Sequence, residues 1–146
     1  MNKLVLLAVL LCAFALPAAA QHKVDIFGYY TPVSATGDFK RISEIHLAGD
    51  YGEQQSPKVY GVIRTKGDGA TDYELLKPTL TGKRLAFTTK TVDGVYYGFA
   101  GTFAKLGDFP VSKPEGQTLL KGTLIKYRGK KKLAIGTFNF IYSGGD

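Results

Sequence analysis

The chain has 146 residues, 19 lysines and arginines against 12 aspartates and glutamates, a formal charge of +7, one cysteine and no tryptophan. A single thiol excludes a disulfide-stapled fold and a cysteine-rich metal site. The positive surplus favours encounter with anionic surfaces without specifying a contact.

Residues 1–20 have the order of a cleaved secretory signal peptide: MNK supplies a basic start, residues 4–16 are uncharged and apolar, and Pro17 precedes Ala18, Ala19 and Ala20. The apolar run is shorter than the roughly 20 residues of a spanning helix. Cys12 lies inside it and leaves with it. The expected mature chain, residues 21–146, enters a periplasmic or extracellular compartment without a thiol and is held by its core alone. A single domain of this length buries roughly two-thirds of its unfolded surface, so a core of that kind is feasible.

Beyond residue 20 apolar residues alternate with others, β-branched and aromatic residues are common, and glycines punctuate the chain. That pattern predicts strands, at 24–31, 41–48, 57–65, 72–77, 83–90, 95–104, 117–127 and 131–142. In the second, "SEIHLAG" sets Ile45 and Leu47 on an apolar face, so Glu44 and His46 face outward instead of forming an acid–base pair. Before the fourth, "KGDGATDYE" gathers Asp68, Asp72 and Glu74 without the spacing of a calcium loop. The longer connections, at 31–41 and 105–117, carry prolines and glycines that stop strands, and loops of this length either decorate a fold or line a binding mouth.

The remaining connections are too short for helical crossovers, which makes neighbours antiparallel. A loop on Val92, Asp93 and Gly94 pairs Phe87 with Phe99 and Leu85 with Gly101. A turn centred on Gly129 pairs Leu124 with Ala134, Gly122 with Gly136 and Leu120 with Phe138, and makes Lys126 and Lys132 cross-strand neighbours. The fold class expected is all-β: one antiparallel meander of about eight strands closing into a small up-and-down barrel or a strongly curled sheet.

The triplets at Gly101-Thr102-Phe103, Gly122-Thr123-Leu124 and Gly136-Thr137-Phe138 recur in the last three strands. Alternation puts each glycine inward between bulky neighbours and each threonine outward. Inward glycines permit curvature and make room where a sheet closes. A phosphate-cradling loop would need a helix after the glycines, and none follows.

Neither a nucleophile elbow nor a histidine or cysteine cluster is present, so no catalytic residue, metal ligand or cofactor is expected. The aromatic content points to binding. Tyr29, Phe87, Tyr97, Phe99, Phe103, Phe138 and Phe140 are placed toward the barrel interior, with Lys126 and Lys132 at one end of that face. An eight-stranded barrel is either filled by side chains or just wide enough for one small ligand. The glycines leave room for the second case.

In strand number, hairpin order and apolar interior the chain resembles the up-and-down barrels of the calycin group, the lipocalins and avidin-like proteins, although "FGYYTP" stands where a lipocalin carries its G-x-W signature. The resemblance implies a calycin-like barrel. The expected function is an exported binding module for a small apolar or amphipathic, lipophilic ligand, its anionic head at the lysines. The alternative is a non-catalytic envelope or protein-interaction domain that uses the outer face near Ile125, Leu133, Ile135 and Ile141 for self-association or a partner. An anionic envelope surface is the further partner expected at the lysines; specific nucleic-acid binding is not expected.

Overall fold

A computed structural model describes residues 26–50, 58–104 and 116–144. The signal-peptide assignment and most of the 105–117 connection lie outside them. Eight strands follow in order: β1 (Gly28–Pro32), β2 (Ile42–Asp50), β3 (Lys58–Thr65), β4 (Asp72–Thr81), β5 (Arg84–Thr89), β6 (Val95–Phe103), β7 (Thr118–Arg128) and β8 (Lys131–Ser143). Each pairs antiparallel with the next, and β1 also pairs with β8, so the meander closes into a barrel. The closing seam is short: β1 meets β8 only over Phe140–Ser143, so β8 from Lys131 to Phe138 pairs with β7 alone.

The β5–β6 hairpin has the expected register, Phe87 opposite Phe99 and Leu85 opposite Gly101. Its turn is tighter than a three-residue loop. Val92 and Val95 exchange both backbone hydrogen bonds at 2.9 Å, and Asp93 and Gly94 between them both have positive φ, 49° and 78°. Such a turn matches the twist of the strands it joins.

The β7–β8 register differs from expectation by two residues: Leu124 faces Gly136, Gly122 faces Phe138 and Leu120 faces Phe140. Two single-residue changes add. Arg128 pairs with Lys131, so the turn occupies Gly129 and Lys130 together instead of centring on Gly129. Leu133 is then left over where Lys126 opposes Ala134 and Tyr127 opposes Lys132, a bulge. An even total shift preserves the side-chain faces. Lys126 and Lys132 are therefore not cross-strand neighbours, and Lys132 lies with Tyr127 on the outside.

β4 runs four residues past its expected end, through Pro78 to Thr81. The register shifts between Leu76 and Thr79, and Lys77 takes a φ of 47°. A bulge absorbs the proline's missing donor, which is why the proline does not end the strand. The 31–41 connection also holds one turn of 3-10 helix at Gly37–Phe39, which carries buried Phe39 onto Phe138 at 5.3 Å between ring centroids.

The inner face is a continuous apolar core that includes Ile45, Leu47, Ile63, Leu85, Phe87, Phe99, Leu120, Leu124 and Phe140. Beside it, β1 places Tyr30 inside and fully buried. Tyr29, expected inside, faces outward and stacks on His46 at 4.4 Å. Two adjacent tyrosines made the alternation ambiguous by one residue, and the pairing of Tyr30 with Ile45 decides it. The Tyr30 hydroxyl donates to the Ile26 carbonyl at 2.6 Å. Tyr30→Phe keeps the ring and deprives that buried carbonyl of its donor; it is expected to cost about 1–2 kcal/mol in urea unfolding.

The triplet glycines face inward and their space is occupied. A Cβ on Gly101 would lie 2.5 Å from the Phe99 ring, one on Gly122 would meet the same ring, and one on Gly136 would lie 2.6 Å from Phe138. Phe99 thus fills the hollow of two glycines while stacking on Phe87 (5.0 Å) and meeting Phe140 edge-on (5.7 Å). The triplet threonines lie outside, and the hydroxyls of Thr123 and Thr137 are 2.8 Å apart.

Candidate functional site

Among the described residues aromatic rings pack the middle of the barrel, and a polar pocket lies at one end. The β1–β2, β3–β4, β5–β6 and β7–β8 connections meet there around a pocket of about 120 Å³ lined by Asp38, Arg41, Thr65, Gly69, Thr71, Tyr73, Val95, Tyr97 and Lys126. Its floor is aromatic and its walls are polar.

Each side chain is positioned by a local feature. Asp38 rides on the 3-10 turn whose next residue, Phe39, is anchored in the core. Its carboxylate accepts a hydrogen bond from Lys126 Nζ at 3.0 Å, and the lysine side chain is mostly covered. Arg41, just before β2, donates through Nε to the Lys66 carbonyl at 3.3 Å and through Nη2 to the Asp68 carbonyl, which clamps the β3–β4 turn against the mouth. Thr65, at the end of β3, accepts from the Thr71 amide at 2.8 Å. Tyr97 is fixed through its amide, which donates to buried Thr89 Oγ1 at 3.0 Å.

The rings of Tyr73 and Tyr97 meet edge to face, 5.0 Å apart. Tyr97 is 4% exposed. Its hydroxyl has no hydrogen-bond partner among the described residues, nor has that of Tyr73. Burial pushes the Tyr97 phenol up to about 12, with Tyr73 and Asp38 adding to the shift and Arg41 opposing it. Burial, then Asp93, also raises Tyr73. Both phenols are therefore neutral donors at physiological pH. The lining side chains include two cations and one carboxylate, with Asp93 near enough to act on Tyr73. Two phenol donors beside the Arg41 and Lys126 cations suit an oxyanion.

Of the residues expected to bind, Tyr97 and Lys126 line this mouth. Phe87, Phe99, Phe103 and Phe140 are buried against one another in the core, and Phe138 is partly buried beside them. Tyr29 and Lys132 are on the outer face. Asp38, Arg41, Thr65, Thr71 and Tyr73 were not anticipated. The length of the 31–41 connection was the available signal for the first two, and Tyr73 could have been found from its alternation with Leu75.

Away from the mouth, Glu44 and Arg64 form an ion pair on the outer face at 2.9 Å, and Arg64 also holds Asp72 at 3.0 Å. Asp72 is thereby committed to a guanidinium, and Glu74 to Lys90. Among the described residues no group of three or more histidine, cysteine, aspartate or glutamate side chains converges on a point that could hold a metal ion. A second, wider hollow of about 270 Å³ lies on the outside of β5–β8, above Ala86 and Ala100, edged by Arg84 and Lys121 and by the triplet threonines Thr102, Thr123 and Thr137.

Fold and mouth together define a small closed antiparallel β-barrel with, among the described residues, a core packed with aromatic rings and a polar pocket at one end. No protein-family model, curated protein or solved structure matches the chain.

Proposed function

We propose that the protein is an exported β-barrel binding module for a small amphipathic ligand, held by an anionic head at the mouth between Arg41, Lys126 and the Tyr73 and Tyr97 hydroxyls. The observation that carries this reading is the Tyr97 phenol: nearly buried, neutral, without a protein partner, and turned into a pocket that also holds two cations. No buried side-chain polar atom among the described residues lacks a partner, so the Tyr97 hydroxyl opens to the solvent of the pocket, where a ligand oxygen could accept from it. The pocket has room for a head group, while the rings beneath it leave the apolar part to lie along the rim.

Calorimetric titration with dodecanoate, dodecyl phosphate and dodecyltrimethylammonium tests the reading. Saturable binding of either anion, with none of the cation, is expected, and Tyr97→Phe should weaken it about tenfold, the worth of a hydrogen bond to a charged group, with the melting temperature preserved. Equal binding of all three amphiphiles, or of the variant and the parent, would refute it.

A further inference from the structure

We infer that the β7–β8 hairpin and the outer face beside it form a docking surface for an anionic phospholipid bilayer. Arg128, Lys130, Lys131 and Lys132 cluster at this turn, and none of them has an ion-pair partner among the described residues. Gly129 donates to the Gly94 carbonyl at 3.1 Å, so the β5–β6 turn lies alongside and contributes Asp93. The joint tip remains net positive. β8 pairs with β7 along its lysine end but with β1 only over Phe140–Ser143, so Lys131 and Lys132 also lie on a strand edge of the kind lysines often protect. Edge protection does not call for apolar groups beside the charges.

Apolar groups stand next to the charges. Ile135 is 60% exposed and Leu133, the bulged residue, 37%. Ile125 pairs with Ile135 across the strands, and the Tyr96 and Tyr127 rings stack at 4.8 Å on the same face. Tyrosines suit the boundary between head groups and acyl chains, aliphatic side chains insert below it, and lysines gain from the negative surface potential. A second copy of the chain is disfavoured as occupant, because a two-fold contact would set this cluster against itself. Charge complementarity selects an anionic surface, and the adjoining apolar groups select lipid over a fully polar polyanion. The hairpin belongs to the same end of the barrel as the mouth, so docking would turn the mouth toward the membrane.

This inference stands apart from the ligand reading, since docking is measured with no soluble amphiphile present. The purified protein is floated with vesicles of phosphatidylcholine alone or mixed with phosphatidylglycerol. Flotation with the mixed vesicles only, lost at high salt, is expected. Alanine at Lys130, Lys131 or Lys132 should weaken it about fivefold each and the triple replacement about a hundredfold. Ile135→Ser should weaken it severalfold at each salt concentration that still permits flotation, and Lys58→Ala, at the far end of the barrel, should leave it unchanged. Melting temperatures of all variants should match the parent. Equal flotation with neutral vesicles, no flotation at all, an unaffected triple variant, or equal losses from Lys58→Ala and Lys130→Ala would each overturn the inference.

Discussion

Phe99→Ala is expected to destabilise the barrel by about 3–5 kcal/mol, a large share of the roughly 5–15 kcal/mol by which domains are stable. The ring occupies the space that Gly101 and Gly122 leave, stacks on Phe87 and meets Phe140 edge-on. Its loss opens a void bounded by strand backbone, which cannot collapse as flexible side chains can. Urea unfolding should show a lower midpoint at unchanged slope. The reciprocal replacement tests the same fit from the other side. In Gly122→Ala the new Cβ would fall closer than 3.0 Å to the Phe99 ring, and overpacking of this kind costs about 1–3 kcal/mol. Because one substitution removes the group that the other collides with, the double variant should be more stable than the sum of the single losses implies. Simple additivity would mean that the ring and the glycines do not share a space.

Alkaline unfolding carries the second large effect. In the unfolded chain a tyrosine loses its proton near pH 10, whereas burial holds the Tyr97 proton to about 12 in the folded barrel. Below pH 10 both states keep the proton and the contribution is fully present. Between the two values the unfolded state ionises and the folded state does not, so stability falls as pH rises, by about 1–2 kcal/mol from this one group once solvent at the pocket is allowed for. Tyr73, raised in the same direction, adds to the fall. Tyr97→Phe should flatten the decline measured by urea unfolding from pH 10 upward and change little below it. Identical slopes in parent and variant would show that the phenol is not held neutral by the mouth.

The barrel was legible because its signals were local and redundant. Strict alternation on β5 and β6, with an Asp-Gly turn between them, leaves one register that buries both Phe87 and Phe99, and that register is present. Around Gly129 the same logic identified the inward residues but not their partners. A two-residue turn and a bulge at Leu133 each displace the pairing by one, and hydrophobic alternation is blind to their sum. At Tyr29 and Tyr30 two equivalent rings carry no alternation signal, so only the pairing across to Ile45 separates inside from outside.

The site was less legible, for a different reason. Aromatic residues at inward positions are compatible with the lining of a ligand cavity or with a packed core, because an inward ring beside an inward glycine can fill that glycine's space. Which of the two applies depends on the rotamer of Phe99, which no spacing reveals. The mouth draws residues from the β1–β2 and β3–β4 connections and from the ends of β3, β4, β6 and β7, and Asp38 meets Lys126 across 88 positions of sequence. Only the closed barrel brings them together.

The central claim is that a ligand engages the polar mouth and leaves the filled centre undisturbed. Backbone amide resonances followed during a titration with dodecanoate test it most directly. The account predicts saturable shifts at Arg41, Thr71, Tyr73, Tyr97 and Lys126, with the amides of Phe87, Phe99 and Phe140 unmoved. Shifts centred on those three phenylalanines, or no saturable shift anywhere, would contradict it.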